Sequence, residues 1–156
     1  MLVISNRSSN SIFFTESRTA NADKVKISFL PFTCLGSIVG RVNKVFLGGH
    51  ALFTNGGVMA HVGSSTVALV AHQNNIPVVF FCETYKFCDK SPTDSFYLNV
   101  FHSKTGEESQ VLDYFNPVIE YDVTPADLVT SVITDIDILP STIVPVVLRV
   151  QENRLR

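Results

Sequence analysis

Four histidines, three cysteines, a mixed-charge loop and two glycine-rich turns are the parts of this 156-residue chain with chemistry to offer. His50, His61, His72 and His102 are spaced eleven, eleven and thirty residues apart, and no pair matches a helical metal-ligand pattern. Cys34, Cys82 and Cys88 are odd in number, and the last two are too far apart for a zinc knuckle. They read as small apolar side chains in a reducing compartment. No metal and no cofactor is expected.

Thr54-Asn55-Gly56-Gly57 asks for a turn with positive φ, which Asn and Gly adopt cheaply. Gly63-Ser64-Ser65-Thr66 follows, at the start of a helical pattern. Free amides and the helix dipole there suit a phosphate or sulfate, or they are plain turn and cap chemistry. Asn55, Gly56, Gly63, Ser64 and Ser65 are therefore candidate anion-binding residues. Neither stretch is a P-loop or a dinucleotide fingerprint. Glu83-Thr84-Tyr85-Lys86-Phe87 directly follows an apolar run, at the strand end where open α/β sheets place ligands. An acid, a base and two aromatics in one loop suit a small-molecule pocket, a protein interface, or packing on the sheet edge.

The elements that must position these groups alternate in kind. Short apolar runs at Leu2–Ser5, Val25–Leu30, Lys44–Leu47, Ile76–Phe81 and Val118–Val123 read as strands. Ser64 or Ser65 can cap a helix that runs to Asn74, where Asn75 and Pro77 forbid continuation. That helix is apolar nearly all round and should be buried. Thr124 as N-cap, Pro125 at the first position and Asp127 in the first turn predict a second helix. Its packing stripe would be Leu128, Val129, Val132 and Ile133. The pattern implies a Rossmann-like three-layer α/β/α domain with a mainly parallel sheet, one domain over 1–150 and a tail over 151–156. The excursion from Cys88 to Asn116 is either a functional loop or a disordered insert, with Phe96–Phe101 apolar enough for part of it to dock.

Composition narrows the function. Hydrophobic residues make up 46% and charged residues only 17%, and net charge is −2. The low charged share means either an unusually large core for the length or apolar surface left over for a partner, and the small volume of one domain favours the second. The tightest basic group is Arg149, Arg154 and Arg156 in the tail, so no stripe exists for nucleic acid. Met1–Ser5 is too short for a signal core, and no apolar run reaches the ~18 residues of a membrane span. The expected location is the cytosol, with no membrane partner.

Four stretches together resemble one family. They are Val45–Gly57 (Val-Phe-Leu-Gly-Gly-His-Ala-Leu-Phe-Thr-Asn-Gly-Gly), Cys82–Phe87 (Cys-Glu-Thr-Tyr-Lys-Phe), Tyr121–Pro125 (Tyr-Asp-Val-Thr-Pro) and Val144–Arg149 (Val-Pro-Val-Val-Leu-Arg). These resemble the carboxy-terminal domain of the alpha, beta and delta regulatory subunits of eukaryotic initiation factor 2B. The 82–87 loop and the 144–149 ending point to the delta branch. The wider family includes isomerases of methylthioribose 1-phosphate and ribose 1,5-bisphosphate. The resemblance runs from about Met1 to Val150; a helical amino-terminal domain, which full subunits carry, is not in this sequence.

The isomerase branch can be compared residue by residue. It has an acidic residue where this chain has His50, and an imidazole cannot stand in for a carboxylate that must be anionic. It has an Asn-Lys pair where this chain has Ala60 and His61, so a fixed positive charge is lost. Arg7 sits where the family often has an anion-holding Arg, but Ile12-Phe13-Phe14 replaces the companion Gly-Arg. The resemblance thus implies a non-catalytic regulatory and assembly domain of the guanine nucleotide exchange factor for initiation factor 2. Its implied partners are other 2B subunits, beta-type first, and the alpha subunit of initiation factor 2. A sugar-phosphate isomerase or sensing domain is the alternative. Leu52, Phe53, Tyr85, Lys86 and Phe87 are the expected interface residues.

Overall fold

A computed structural model describes residues 2–3, 11–13, 29–92 and 119–154. The central element is a five-stranded sheet of β1 (Leu2–Val3), β4 (Val45–Gly48), β7 (Val78–Phe81), β10 (Ser131–Ile133) and β11 (Ile138–Leu139), in that spatial order. Every pairing is parallel except that of β11 with β10. A second sheet orders β8 (Phe87–Cys88), β5 (Ala51–Phe53), β6 (Val58–His61) and β9 (Tyr121–Thr124). A separate ribbon pairs β2 (Ser11–Phe13) with β3 (Phe29–Pro31). The helices are α1 (Leu35–Ile38), α2 (Ser64–Gln73) and α3 (Val144–Arg154). A mainly parallel central sheet, a mixed second sheet and helices packed on them match the expected three-layer α/β class.

Strand alternation explains the core. Val45 and Leu47 of β4, Val78 and Phe80 of β7 and Val132 of β10 lie on one face and are buried. Val67, Ala68 and Ala71 of α2 belong to the same apolar cluster. Two of the three helix residues are alanines, which lets the helix approach the strands closely. Each large side chain buried here contributes roughly 1.5–3 kcal/mol. α2 ends where the sequence predicts: the Asn74 amide donates to the carbonyls of Ala71 and His72, and Asn75 takes φ 56°. It is not buried all round, however. Leu69 is half exposed, and only one stripe packs.

Several sequence expectations are corrected. Thr124–Ile133 does not form a helix: Thr124 closes β9, Ala126–Leu128 is a single 3-10 turn, and Ser131–Ile133 is a parallel strand beside β7. The physical reason is that Val129 to Thr134 is β-branched at every position but Ser131, and its backbone groups find partners in the sheet. The Thr130 amide donates to the Val78 carbonyl at 2.9 Å, and the Val78 amide donates to the Thr130 hydroxyl at 3.0 Å. The strand predicted over Val118–Val123 is described as β9 from Tyr121, the antiparallel edge partner of β6 in the second sheet. Of the strand predicted at Val25–Leu30, the described residues Phe29 and Leu30 pair with β2 in the separate ribbon. Residues 93–118, most of the excursion from Cys88 to Asn116, lie outside the described residues.

Candidate functional site

The turn joining β5 to β6 forms as its residues require. Gly56 has φ +81°, its amide donates to the Phe53 carbonyl, and the Phe53 amide donates to the Gly57 carbonyl, both at 2.9 Å. Asn55 contributes through its side chain: Oδ1 accepts from the Gly57 amide at 3.0 Å. The groups offered for an anion are thus spent inside the turn.

The start of α2 is organised by a residue the sequence reading missed. Gly63, at φ +96°, holds the N-cap position, and neither Ser64 nor Ser65 caps with its side chain. Instead Asp122 of β9 reaches the helix start. Its Oδ2 accepts from the Gly63 amide at 2.8 Å, the Ser65 amide at 3.1 Å and the Ser65 hydroxyl at 2.8 Å. Gly63 also admits the Phe32 ring, which a Cβ there would meet at 3.2 Å. A carboxylate at this end is favoured by the helix dipole. Of the amides offered to an external phosphate, those of Gly63 and Ser65 donate to this internal carboxylate. Arg7 lies outside the described residues. Burial pushes the Asp122 carboxyl up, against the pull of its bonds from Ser65 and Gly63. Its Oδ1 and the Thr124 hydroxyl are buried without a hydrogen-bond partner. The missed signal is the alternation of Tyr121-Asp122-Val123-Thr124, which turns an acid inward where only donors would tolerate it.

Beside this junction the structure brings together the two positions where the chain departs from the isomerase pattern. His61 ends β6 directly opposite Tyr121 of β9. The His61 and Tyr121 rings stack with centroids 5.3 Å apart, and His50 lies 4.7 Å from the same Tyr121 ring. Burial, then the neighbouring Glu120, pushes the Tyr121 phenol up. Two imidazoles packed on a phenol supply neither a fixed anion nor a fixed cation. Among the described residues no three His, Cys, Asp or Glu side chains gather to hold a metal ion.

The loop after β7 is tied to the β10–β11 turn by hydrogen bonds and exposes Tyr85. Thr84 donates twice to Asp135, from its amide to Oδ1 at 2.7 Å and from its hydroxyl to Oδ2 at 3.0 Å. The Thr84 amide holds the Asp135 carboxyl below the usual range. Lys86 pairs with Glu83 at 2.6 Å, which lowers the acid and raises the amine. The same ammonium lies 5.7 Å from the Tyr85 ring centroid, and Tyr85 is 77% exposed. The other interface candidates are placed differently: Leu52 is 0%, Phe53 3% and Phe87 9% exposed. Leu52 and Phe87 belong to the buried apolar cluster, and Phe53 is buried at the end of β5. Tyr85 and, in part, Lys86 keep surface to offer. Cys82 is buried, and burial pushes its thiol up to about 11, far from a nucleophile's range.

The model of the initiation factor 2 subunit family matches residues 17–141. Translation initiation factor eIF2B subunit delta of Schizosaccharomyces pombe is 32% identical over 80% of this chain and 30% of its own length. The delta subunit of Dictyostelium discoideum is 34% identical over 80% of this chain and 23% of its own length. Ribose 1,5-bisphosphate isomerase of Methanocaldococcus jannaschii is 25% identical over 83% of this chain and 46% of its own. Among solved structures, eIF2B beta from Chaetomium thermophilum aligns at a TM-score of 0.59 with 26% identity, over 76% of this chain and 31% of that one. The tetrameric eIF2B-beta2-delta2 complex from the same organism aligns at 0.57 with 26% identity, over 72% and 32%. The chain spans under a third of the length of the delta subunits it matches. With a matching family model over most of its length and delta subunits above 30% identity, this chain belongs to the initiation factor 2 subunit family.

Proposed function

We propose that this chain is a non-catalytic regulatory and assembly domain of the cytoplasmic guanine nucleotide exchange factor for translation initiation factor 2. In this reading it binds other 2B-type subunits, the beta type first. It would also help couple the assembly to the state of the alpha subunit of initiation factor 2. The observation that carries the reading is the His50–Tyr121–His61 stack, together with a helix start already occupied by Asp122. An aldose–ketose isomerisation moves a proton between carbons and needs a fixed base with a charge to steady the phosphate. Neither is supplied at positions 50 and 61. What remains is a packed scaffold, and a scaffold in this family has assembly to offer. The likeness to a solved beta–delta complex supports the choice of partner.

Sedimentation velocity of the purified chain mixed with a beta-type 2B subunit tests the reading. A heavier species containing both chains is expected. Two components sedimenting independently at about 10 μM each, well above the affinity of a stable subunit contact, would reject it.

A further inference from the structure

The face of the five-stranded sheet turned away from α2 is apolar and incompletely covered. Register aligns Phe81 with Ile133 and Ile133 with Ile138, so these side chains share one face. Phe46 lies on that face too, its ring centroid 5.7 Å from that of Phe81. Phe81 is 48% and Ile138 63% exposed. At the carboxyl end of the same strands, Ile136 is 67% and Tyr85 77% exposed. The double hydrogen bond from Thr84 to Asp135 fastens the Tyr85 loop to the β10–β11 turn that carries Ile136. Both apolar groups are therefore presented from a fixed frame, which lowers the ordering cost of binding.

The rim decides what can sit there. Glu83, Asp135 and Asp137 border the patch, and the loop's one cation, Lys86, is engaged by Glu83. Asp135 and Asp137 accept from amide donors, and among the described residues no cation pairs with either. A two-fold pairing of this face with a second copy of itself would set acid against acid, since such an interface is self-complementary. We infer that this surface docks a different chain, a 2B-type subunit whose matching face is apolar and rimmed by Lys and Arg. This rests on the assembly reading above, and it adds where the contact lies and why it is heteromeric.

The test is the affinity of the full chain for a purified beta-type 2B subunit, measured at low and at high salt. Tyr85→Ala and Ile136→Asp alter exposed residues, so folding is checked by circular dichroism and expected to persist. Each should weaken binding by about 10-fold or more, as truncation of a central anchor does. Asp137→Lys should slow association and flatten the salt dependence. Leu69→Asp, on the exposed side of α2, should leave binding unchanged. Wild-type binding that survives both patch substitutions would overturn the surface and leave the assembly reading intact. Absence of wild-type binding would remove both. A homodimer dispersed by Ile136→Asp would overturn the heteromeric choice.

Discussion

Replacing Asp122 by alanine removes the acceptor for the Gly63 amide, the Ser65 amide and the Ser65 hydroxyl at once. Loss of a helix cap alone costs about 1 kcal/mol. Leaving part-buried donors unmatched adds about 1–3 kcal/mol, so a total near 3 kcal/mol is expected. Asp122→Asn separates the cap from the charge, because an amide oxygen still accepts. The carboxyl's pKa in the fold lies above its ordinary value of 3.8, with burial as the leading cause. A raised carboxyl pKa means the fold holds the proton more tightly than the unfolded chain does. That contribution is fully present below 3.8 and is lost as pH rises through the folded value. Wild type should therefore gain stability relative to Asp122→Asn as pH falls from neutral into the mildly acidic range. Taking the difference between the two proteins cancels Asp135, whose depressed pKa acts in the opposite sense. Urea unfolding of wild type, Asp122→Asn and Asp122→Ala across this range is the assay. An alanine variant within about 0.5 kcal/mol of wild type, or a wild type that loses ground to Asp122→Asn on acidification, would refute the reasoning.

Other substitutions probe neighbouring parts of the account. Thr124→Val keeps the shape and deletes a buried hydroxyl that lacks a partner; thermal unfolding should show no loss, or a gain of up to about 1 kcal/mol. Gly56→Ala puts a Cβ at φ +81°, 2.9 Å from the Cβ of Ala126, and should cost about 1–3 kcal/mol in urea unfolding. Cys82, with its thiol pushed up to about 11, should resist iodoacetamide at neutral pH in the folded protein. Mass spectrometry after brief labelling should find Cys34 and Cys88, both partly exposed, modified first.

What could be read from the sequence was local. Continuous apolar runs marked β4 and β7, two strands that lie inside the parallel sheet with a neighbour on each edge. Asn74, Asn75 and Pro77 marked the end of α2, and Asn55-Gly56-Gly57 marked the β5–β6 turn, since each is a backbone requirement of the residues themselves. What escaped was decided by distant partners. Leu128, Val129, Val132 and Ile133 satisfy a helical stripe, yet that stretch pairs with β7, whose Val78 is 52 residues from Thr130, and with β11 a few residues further on. The cap of α2 comes from Asp122, dozens of residues after the helix it serves. Leu52 and Phe53 flank a turn, which suggests surface; that β8 and β6 would cover both sides of β5 is a property of topology alone.

The central claim is that positions 50 and 61, packed on Tyr121, leave a scaffold without acid–base machinery. Phosphorus NMR of the purified chain incubated with a phosphorylated pentose tests this most directly. The account predicts an unchanged aldose spectrum over hours. Growth of the corresponding ketose signal, absent from a buffer control, would contradict it.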